Sequence, residues 1–173
     1  FVPAENQTVN EVPEEWSDRF DAVISFFALE HVAEPKAFVA EAHRLLCDDG
    51  TFYFLVPNLF ANTADLVVAD HVNHFSESSL HRLLSDAGFA VREIDDTAHN
   101  SAWVVVAEKT NVNSEPIPAT SVADKVNKMA EYWLEFADSV RAFEKANDTE
   151  AAIYGSGFYG TFIHASLDRA KSV

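Results

Sequence analysis

Histidine stands beside an acid at two places in the sequence. Glu30-His31 follows an apolar run, and Asp70-His71 with His74 makes a D-H-x-x-H cluster just ahead of Ser76. A neutral imidazole with a pKa of about 6.5 takes a proton at physiological pH, so His31 is a candidate for abstracting a proton from an acceptor or for orienting it. Asp70 could fix the tautomer of His71, leaving His71 to act as base or to anchor a hydroxyl. A histidine at a helix start can also be satisfied by a backbone carbonyl, and the D-H-x-x-H cluster can be plain loop packing. His71 and His74, with Asp70 or His31 as third ligand, have the types to hold a metal, but no second well-spaced ligand accompanies them and no metal is expected. Gly155-x-Gly157-x-x-Gly160 has the form of a dinucleotide-binding turn, whose helix N–H groups would point at phosphate. The acid that would complete it lies beyond Val173, so a tight strand-to-helix turn is the competing reading.

The elements that must position these residues follow from apolar spacing. Phe20 to Phe27 (FDAVISFF) is broken only by Asp21 and Ser25, which predicts a central parallel strand buried on both faces. Pro35 suits the first turn of a helix running to about Cys47, with Phe38, Ala42, Leu45 and Leu46 on one face and Gly50 as its left-handed stop. Thr51 to Val56 reads as a second buried strand, so the three form a βαβ crossover in an open α/β sheet. Ligands of such sheets sit beyond the carboxyl ends of the strands, which directs attention to Phe27 through His31 and to Val56 through Asn58.

Ser76 predicts a helix N-cap, with Phe75 stapled onto Leu80, an apolar face of Leu80, Leu83, Leu84 and Ala87, and Gly88 as the stop. Ala90 to Ile94 and Ala102 to Glu108 have the spacing of an antiparallel pair at a sheet edge. Residues 109–121 have the composition of a linker. A long helix follows, with a stripe of Val122, Val126, Met129, Trp133, Ala137, Val140 and Phe143 long enough to bridge domains or to form a homodimer through residues 122–143. Ala151 to Tyr154 reads as a short strand before the glycines.

Composition narrows the partners. The 173 residues carry 12 Lys+Arg against 28 Asp+Glu, a formal net charge of −16, and five of the acids fall between Glu11 and Asp21. No basic stripe offsets that field, which argues against nucleic acid and anionic membranes as partners. The single Cys47 allows neither an intrachain disulfide nor a cysteine-held zinc. No apolar run is long enough to span a bilayer and no signal-peptide pattern opens the chain, so a cytoplasmic location is expected.

The run FDAVISFFALEHVAEPKAFVAEAHRLLCDDGTFYFLVPN resembles the fourth strand, following helix and fifth strand of class I S-adenosylmethionine-dependent methyltransferases, with Leu29-Glu30-His31 at the strand's end. DHVNHFSESSLHRLLSDAGFAV is similar to the next segment of many of these enzymes, including the sugar C-methyltransferase branch, although Val68 stands where that branch has tyrosine. The tail IYGSGFYGTFIHASL looks like the start of that branch's C-terminal domain. The resemblance implies a partial Rossmann-like sheet of parallel strands with an antiparallel edge. Residues 1–108 would be the C-terminal part of a catalytic domain, and 122–173 a long helix with the beginning of a Rossmann-like accessory domain. It also implies S-adenosylmethionine as cofactor, with Phe26, Phe27, Ala28 and Glu30 on its side of the crevice, His31, Asp70 and His71 as catalytic residues, and a small molecule or nucleotide-linked sugar as acceptor. The family's glycine-rich cofactor loop has no counterpart here, so a truncated chain is expected. Two alternatives remain: a nucleotide-binding or regulatory module working through Gly155, Gly157 and Gly160, and a non-catalytic dimerisation module.

Overall fold

The computed structural model describes residues 12–110, 121–147, 151–155 and 157–169. They fall into two units, one formed within residues 1–65 and 70–120, the other within 66–69 and 121–173. The first is an α/β sheet of β1 (Phe20–Phe26), β2 (Leu46–Pro57), β3 (Phe89–Asp95) and β4 (Ala102–Lys109) in the order β1-β2-β4-β3. β1 and β2 are parallel, joined through α1 (Pro35–Leu45), while β4 runs antiparallel to both β2 and β3. α2 (Glu77–Asp86) precedes β3.

Register explains which face is core. Val23 pairs with Phe52, Phe52 with Ala107, Phe54 with Val105 and Val56 with Trp103, so these side chains share one face of the sheet. Val39 and Ala42 of α1 and Leu80, Leu83 and Leu84 of α2 join them in a single buried cluster. Alternate residues of β1 look the other way: Ile24 is 60% and Phe26 59% exposed. The strand expected to be central and covered on both faces is therefore the edge of the described sheet, paired only with β2 among the described residues. Its apolar alternate residues lack a described covering layer.

Local chemistry sets the helix ends. Pro35 occupies the first turn of α1, as its spacing predicts. The helix stops at Leu45 rather than Cys47, because Leu46, with no exposed surface, already belongs to the sheet. The left-handed residue after the helix is Asp49 (φ 59°), not Gly50, and it lies within β2 where the pairing with β1 shifts register. α2 opens on a capping box in which the Ser76 hydroxyl accepts from the Ser79 N–H and the Ser79 hydroxyl accepts from the Ser76 N–H. Gly88 closes it at φ +84°, and a side chain there would also put its Cβ 2.9 Å from His43 Nε2.

That close packing has a pH consequence. Burial holds the His43 imidazole below its usual pKa, and the nearby Lys109 ammonium pushes the same way; Asp18 and the backbone at Gly88 and Thr110 only partly oppose them. The unfolded chain therefore binds more protons than the folded one just below the ordinary histidine pKa of about 6.5, so stability falls as pH drops from there. Urea melts at about pH 7 and about pH 5.5 are expected to show this loss, and His43→Gln to reduce it.

The second unit packs α3 (Ala123–Ala146) against α4 (Phe158–Ser166). Met129, Trp133 and Ala137 are buried, and the Trp133 and Phe162 rings meet edge to face at 4.8 Å. Phe143 leaves the predicted stripe and is exposed. Residues 151–155 form no strand among the described residues, in contrast to the strand expected there, and Ile153 and Tyr154 are exposed. No helix of the described residues is long and apolar enough to cross a membrane.

Candidate active site

The carboxyl end of β1 makes the first half of the site. Phe27 takes φ 48° while its N–H still donates to Leu55 O at 3.0 Å, so the chain leaves the ladder abruptly. It enters a 3-10 turn, Leu29–His31, anchored by Leu29, which is fully buried. The second half is residues 70–75, held at the ends of the strands by a bridge between Asn58, just past β2, and Phe75.

Asn73 joins the halves. Its backbone N–H and that of Val72 donate to Glu30 O at 3.1 and 2.9 Å, and its side-chain amide donates to Leu29 O at 3.2 Å and Val32 O at 2.6 Å. One residue thus satisfies three carbonyls of the turn that presents His31. Asn73→Ala leaves Leu29 O and Val32 O without this donor, and a cost of about 1–3 kcal/mol is expected in a urea melt.

Across this seam the His31 and His71 rings meet edge to face at 4.8 Å. Glu30, only 1% exposed, brings its Oε1 to 3.9 Å from His31 Nε2. Its Oε2 is buried with no hydrogen-bond partner among the described residues. Burial raises the pKa of this carboxyl, against a smaller opposing effect from its own backbone and from His31 and His71. His31 Nδ1 lies 3.0 Å from the Asp70 carbonyl, and the Asp70 carboxylate stands 3.5 Å from the same nitrogen. Asp65, as buried as Glu30, takes both remaining histidines: its Oδ1 is 2.6 Å from His71 Nδ1 and its Oδ2 2.7 Å from His74 Nδ1.

The structure brings Glu30, His31, Asp70 and His71 together but changes their pairing. Asp70, expected to fix the tautomer of His71, serves His31, and Asp65 takes the place beside His71. Glu30, placed on the cofactor side by the resemblance, stands with its Oε1 3.9 Å from His31 Nε2. Phe26 and Phe27 present partly exposed rings at the strand's carboxyl end, and the Ala28 carbonyl accepts from the His31 N–H. Asp65 and Asn73 were not visible as site residues in the sequence: Asp65 opens onto the apolar run 66–69, and Asn73 fills an unspecified position of the D-H-x-x-H cluster.

The glycine loop belongs to the second unit. Gly155 takes φ +117° and Gly157 caps α4. A Cβ on Gly160 would fall 2.0 Å from Gly155 O, so only glycine permits this approach. Ile153, Gly155, Gly160, Thr161 and His164 line a shallow hollow of about 260 Å³.

The family model described as "Methyltransferase domain" matches residues 2–94, more than half of the chain, and the protein belongs to that family. Solved structures match over part of the chain. In the complex of the Haloferax volcanii Trm112 methyltransferase activator with a methyltransferase, the match has 18% identity and TM-score 0.46, covering 55% of this chain and 56% of that one. Burkholderia thailandensis 1,6-didemethyltoxoflavin-N1-methyltransferase, solved with 1,6-didemethyltoxoflavin and S-adenosylhomocysteine, matches at 25% identity and TM-score 0.45, covering 55% and 46%. An S-adenosylmethionine-dependent methyltransferase from Mesorhizobium loti matches at 18% and 0.46, covering 54% and 63%. The chain thus spans about half to two thirds of the length of these structures. No curated protein matches it.

S-adenosylmethionine is the cofactor this membership brings. The described residues suit one wall of a site for it: exposed phenylalanine rings able to cover an adenosyl group, at the carboxyl end of a strand where the backbone turns sharply out of the sheet.

Proposed function

We propose that the protein works in methyl transfer from S-adenosylmethionine to a small-molecule acceptor held at Glu30, His31 and His71, with a nucleotide-linked sugar as the acceptor class. The observation that carries this reading is the convergence of His31 and His71 beside the carboxyl end of β1. The acceptor class rests more narrowly on the likeness of the Asp70-His71 segment and the glycine-bearing tail to the sugar C-methyltransferase branch.

When bound, S-adenosylmethionine supplies a methyl carbon on a positively charged sulfur. The chain's own residues place the acceptor and handle its proton. Phe26, Phe27 and the Ala28 backbone would hold the adenosyl side. With both Nδ1 atoms facing acceptors, His31 and His71 keep their Nε2 lone pairs free to orient an acceptor hydroxyl or activated carbon and to take its proton. Fixing that geometry is the larger contribution, because a displacement needs the acceptor atom in line with the bond that breaks.

Calorimetric titration of the 173-residue chain with S-adenosylhomocysteine tests the cofactor half of the reading. Saturable micromolar binding, weakened by Phe27→Asp, is expected. A silent titration would remove cofactor binding from this chain and leave the methyltransferase relationship as one of fold.

A further inference from the structure

We propose that Glu30, His31 and His71 form a site for one divalent transition-metal cation of the zinc type, with Asp65 and the main-chain carbonyl of Asp70 orienting the two imidazoles. Hydrogen-bond direction is the reason. His31 Nδ1 faces the Asp70 carbonyl and His71 Nδ1 faces the Asp65 carboxylate, so in each neutral ring the hydrogen sits on Nδ1 and the lone pair on Nε2. One donor atom from each of Glu30, His31 and His71 lies within 4.8 Å of the others. Glu30 Oε1 is 3.9 Å from His31 Nε2, and Oε2 of the same carboxyl is buried without a hydrogen-bond partner in the described residues. The His31 Nε2 lone pair faces the Glu30 carboxylate across 3.9 Å with no hydrogen between them, so the two repel one another, and a cation removes that repulsion.

The donor set also selects the ion. Two imidazoles and one carboxylate suit zinc and its neighbours, with a fourth position left for water or a ligand. Magnesium and calcium prefer oxygen, of which the cluster offers a single carboxylate. The Nδ1 hydrogens held by a carboxylate and a carbonyl are the outer support that ligating histidines use. Ligand atoms around a tetrahedral zinc stand about 3.4 Å apart, so the present spacing of up to 4.8 Å closes by at most about 1.4 Å, a movement within reach of the His31 ring, whose side chain is 39% exposed. Sequence spacing pointed to His71 and His74 as the pair, with Asp70 or His31 as third ligand, and to no metal for want of a second well-spaced ligand. The fold instead joins His71 to residues about forty positions earlier, and Asp65 occupies His74 Nδ1.

The inference is independent of cofactor binding but replaces the base role proposed above for His31 and His71. A cation here would bind an acceptor oxygen and lower its pKa, with the imidazoles acting as ligands instead of bases. Its binding is measurable with no acceptor present.

The test is titration of the full 173-residue chain, stripped of metal by a chelator, with Zn²⁺ alone by calorimetry and with Co²⁺ alone by its visible absorption. One saturable site is expected, with the intense visible bands of four-coordinate Co²⁺. Glu30→Gln and His31→Ala should abolish both signals, and Asp65→Asn should weaken affinity about 10- to 100-fold. His81→Ala, on α2 outside the cluster, should leave binding unchanged. Circular dichroism of each variant separates lost binding from lost fold, and Glu30→Gln keeps the shape of the side chain. Absence of a saturable site, or binding indifferent to Glu30→Gln and His31→Ala, overturns the proposal and leaves a proton on Glu30 as what relieves the cluster. The S-adenosylhomocysteine titration, run on the metal-free chain, reads the cofactor proposal separately.

Discussion

Replacing His31 by alanine is expected to lower methyl transfer by about 10²–10⁴-fold, the contribution of a positioned proton acceptor, while costing the fold no more than about 1 kcal/mol. The His31 side chain is partly exposed and its one close hydrogen-bond partner is the carbonyl of Asp70, an exposed residue that water can serve once the ring is gone. His71→Ala should lose turnover to a similar extent and also cost about 1–3 kcal/mol, because it removes one of the two histidines that satisfy the buried Asp65 carboxylate. The pair therefore separates chemistry from structure. The measurement is transfer of a labelled methyl group from S-adenosylmethionine to a panel of nucleotide sugars and hydroxylated small molecules, with urea melts of both variants alongside. Turnover unchanged in both variants would remove these residues from the mechanism. Equal stability losses in both would mean that His31 has a structural role that its exposure conceals.

The sheet and its first helices were legible because their signals are local. Pro35 at a helix start, Ser76 as a cap, Gly88 at a positive φ and the β-forming apolar run of β4 each act within a few residues. What was not legible depends on distant partners. The FDAVISFF run states that apolar side chains occur on both faces of β1 but not which neighbours cover them, and among the described residues only one face is covered by helices. Leu46 fits the apolar face of a helix or a strand equally well, and its burial in the sheet decides the matter. Asp65 sits in a 3-10 turn, Thr63–Val67, and reaches His71 and His74, six and nine positions on, an arrangement that neither a helical nor a strand period announces. The site's residue types were therefore readable while its hydrogen-bond partners were not. The expected Asp70–His71 pair gave way because adjacent residues on this loop turn in different directions, Asp70 toward His31 and His71 toward Asp65.

The same distinction between faces yields the largest stability prediction. Phe52 lies at the middle of β2, which β1 and β4 flank, and its side chain has no exposed surface. Its ring stacks on Phe54 with centroids 4.6 Å apart and tilts against Phe89 at 5.6 Å, so it joins β2 to the start of β3 just beyond the Gly88 turn. Phe52→Ala removes both ring contacts and opens a cavity that the paired β2 backbone cannot close, and about 3–5 kcal/mol is expected. That is a large part of the roughly 5–15 kcal/mol that holds a domain together. Ile24→Ala shortens an equally apolar residue whose side chain looks away from the core cluster and is mostly exposed, and should change stability by no more than about 0.5 kcal/mol. Urea melts of the two variants test whether one face of this sheet carries the core. A cost for Ile24→Ala approaching that of Phe52→Ala would mean that the second face is covered in solution. β1 would then be the strand buried on both faces that its sequence predicts, and the carboxyl end that presents Phe26, Phe27 and His31 would be braced from both sides.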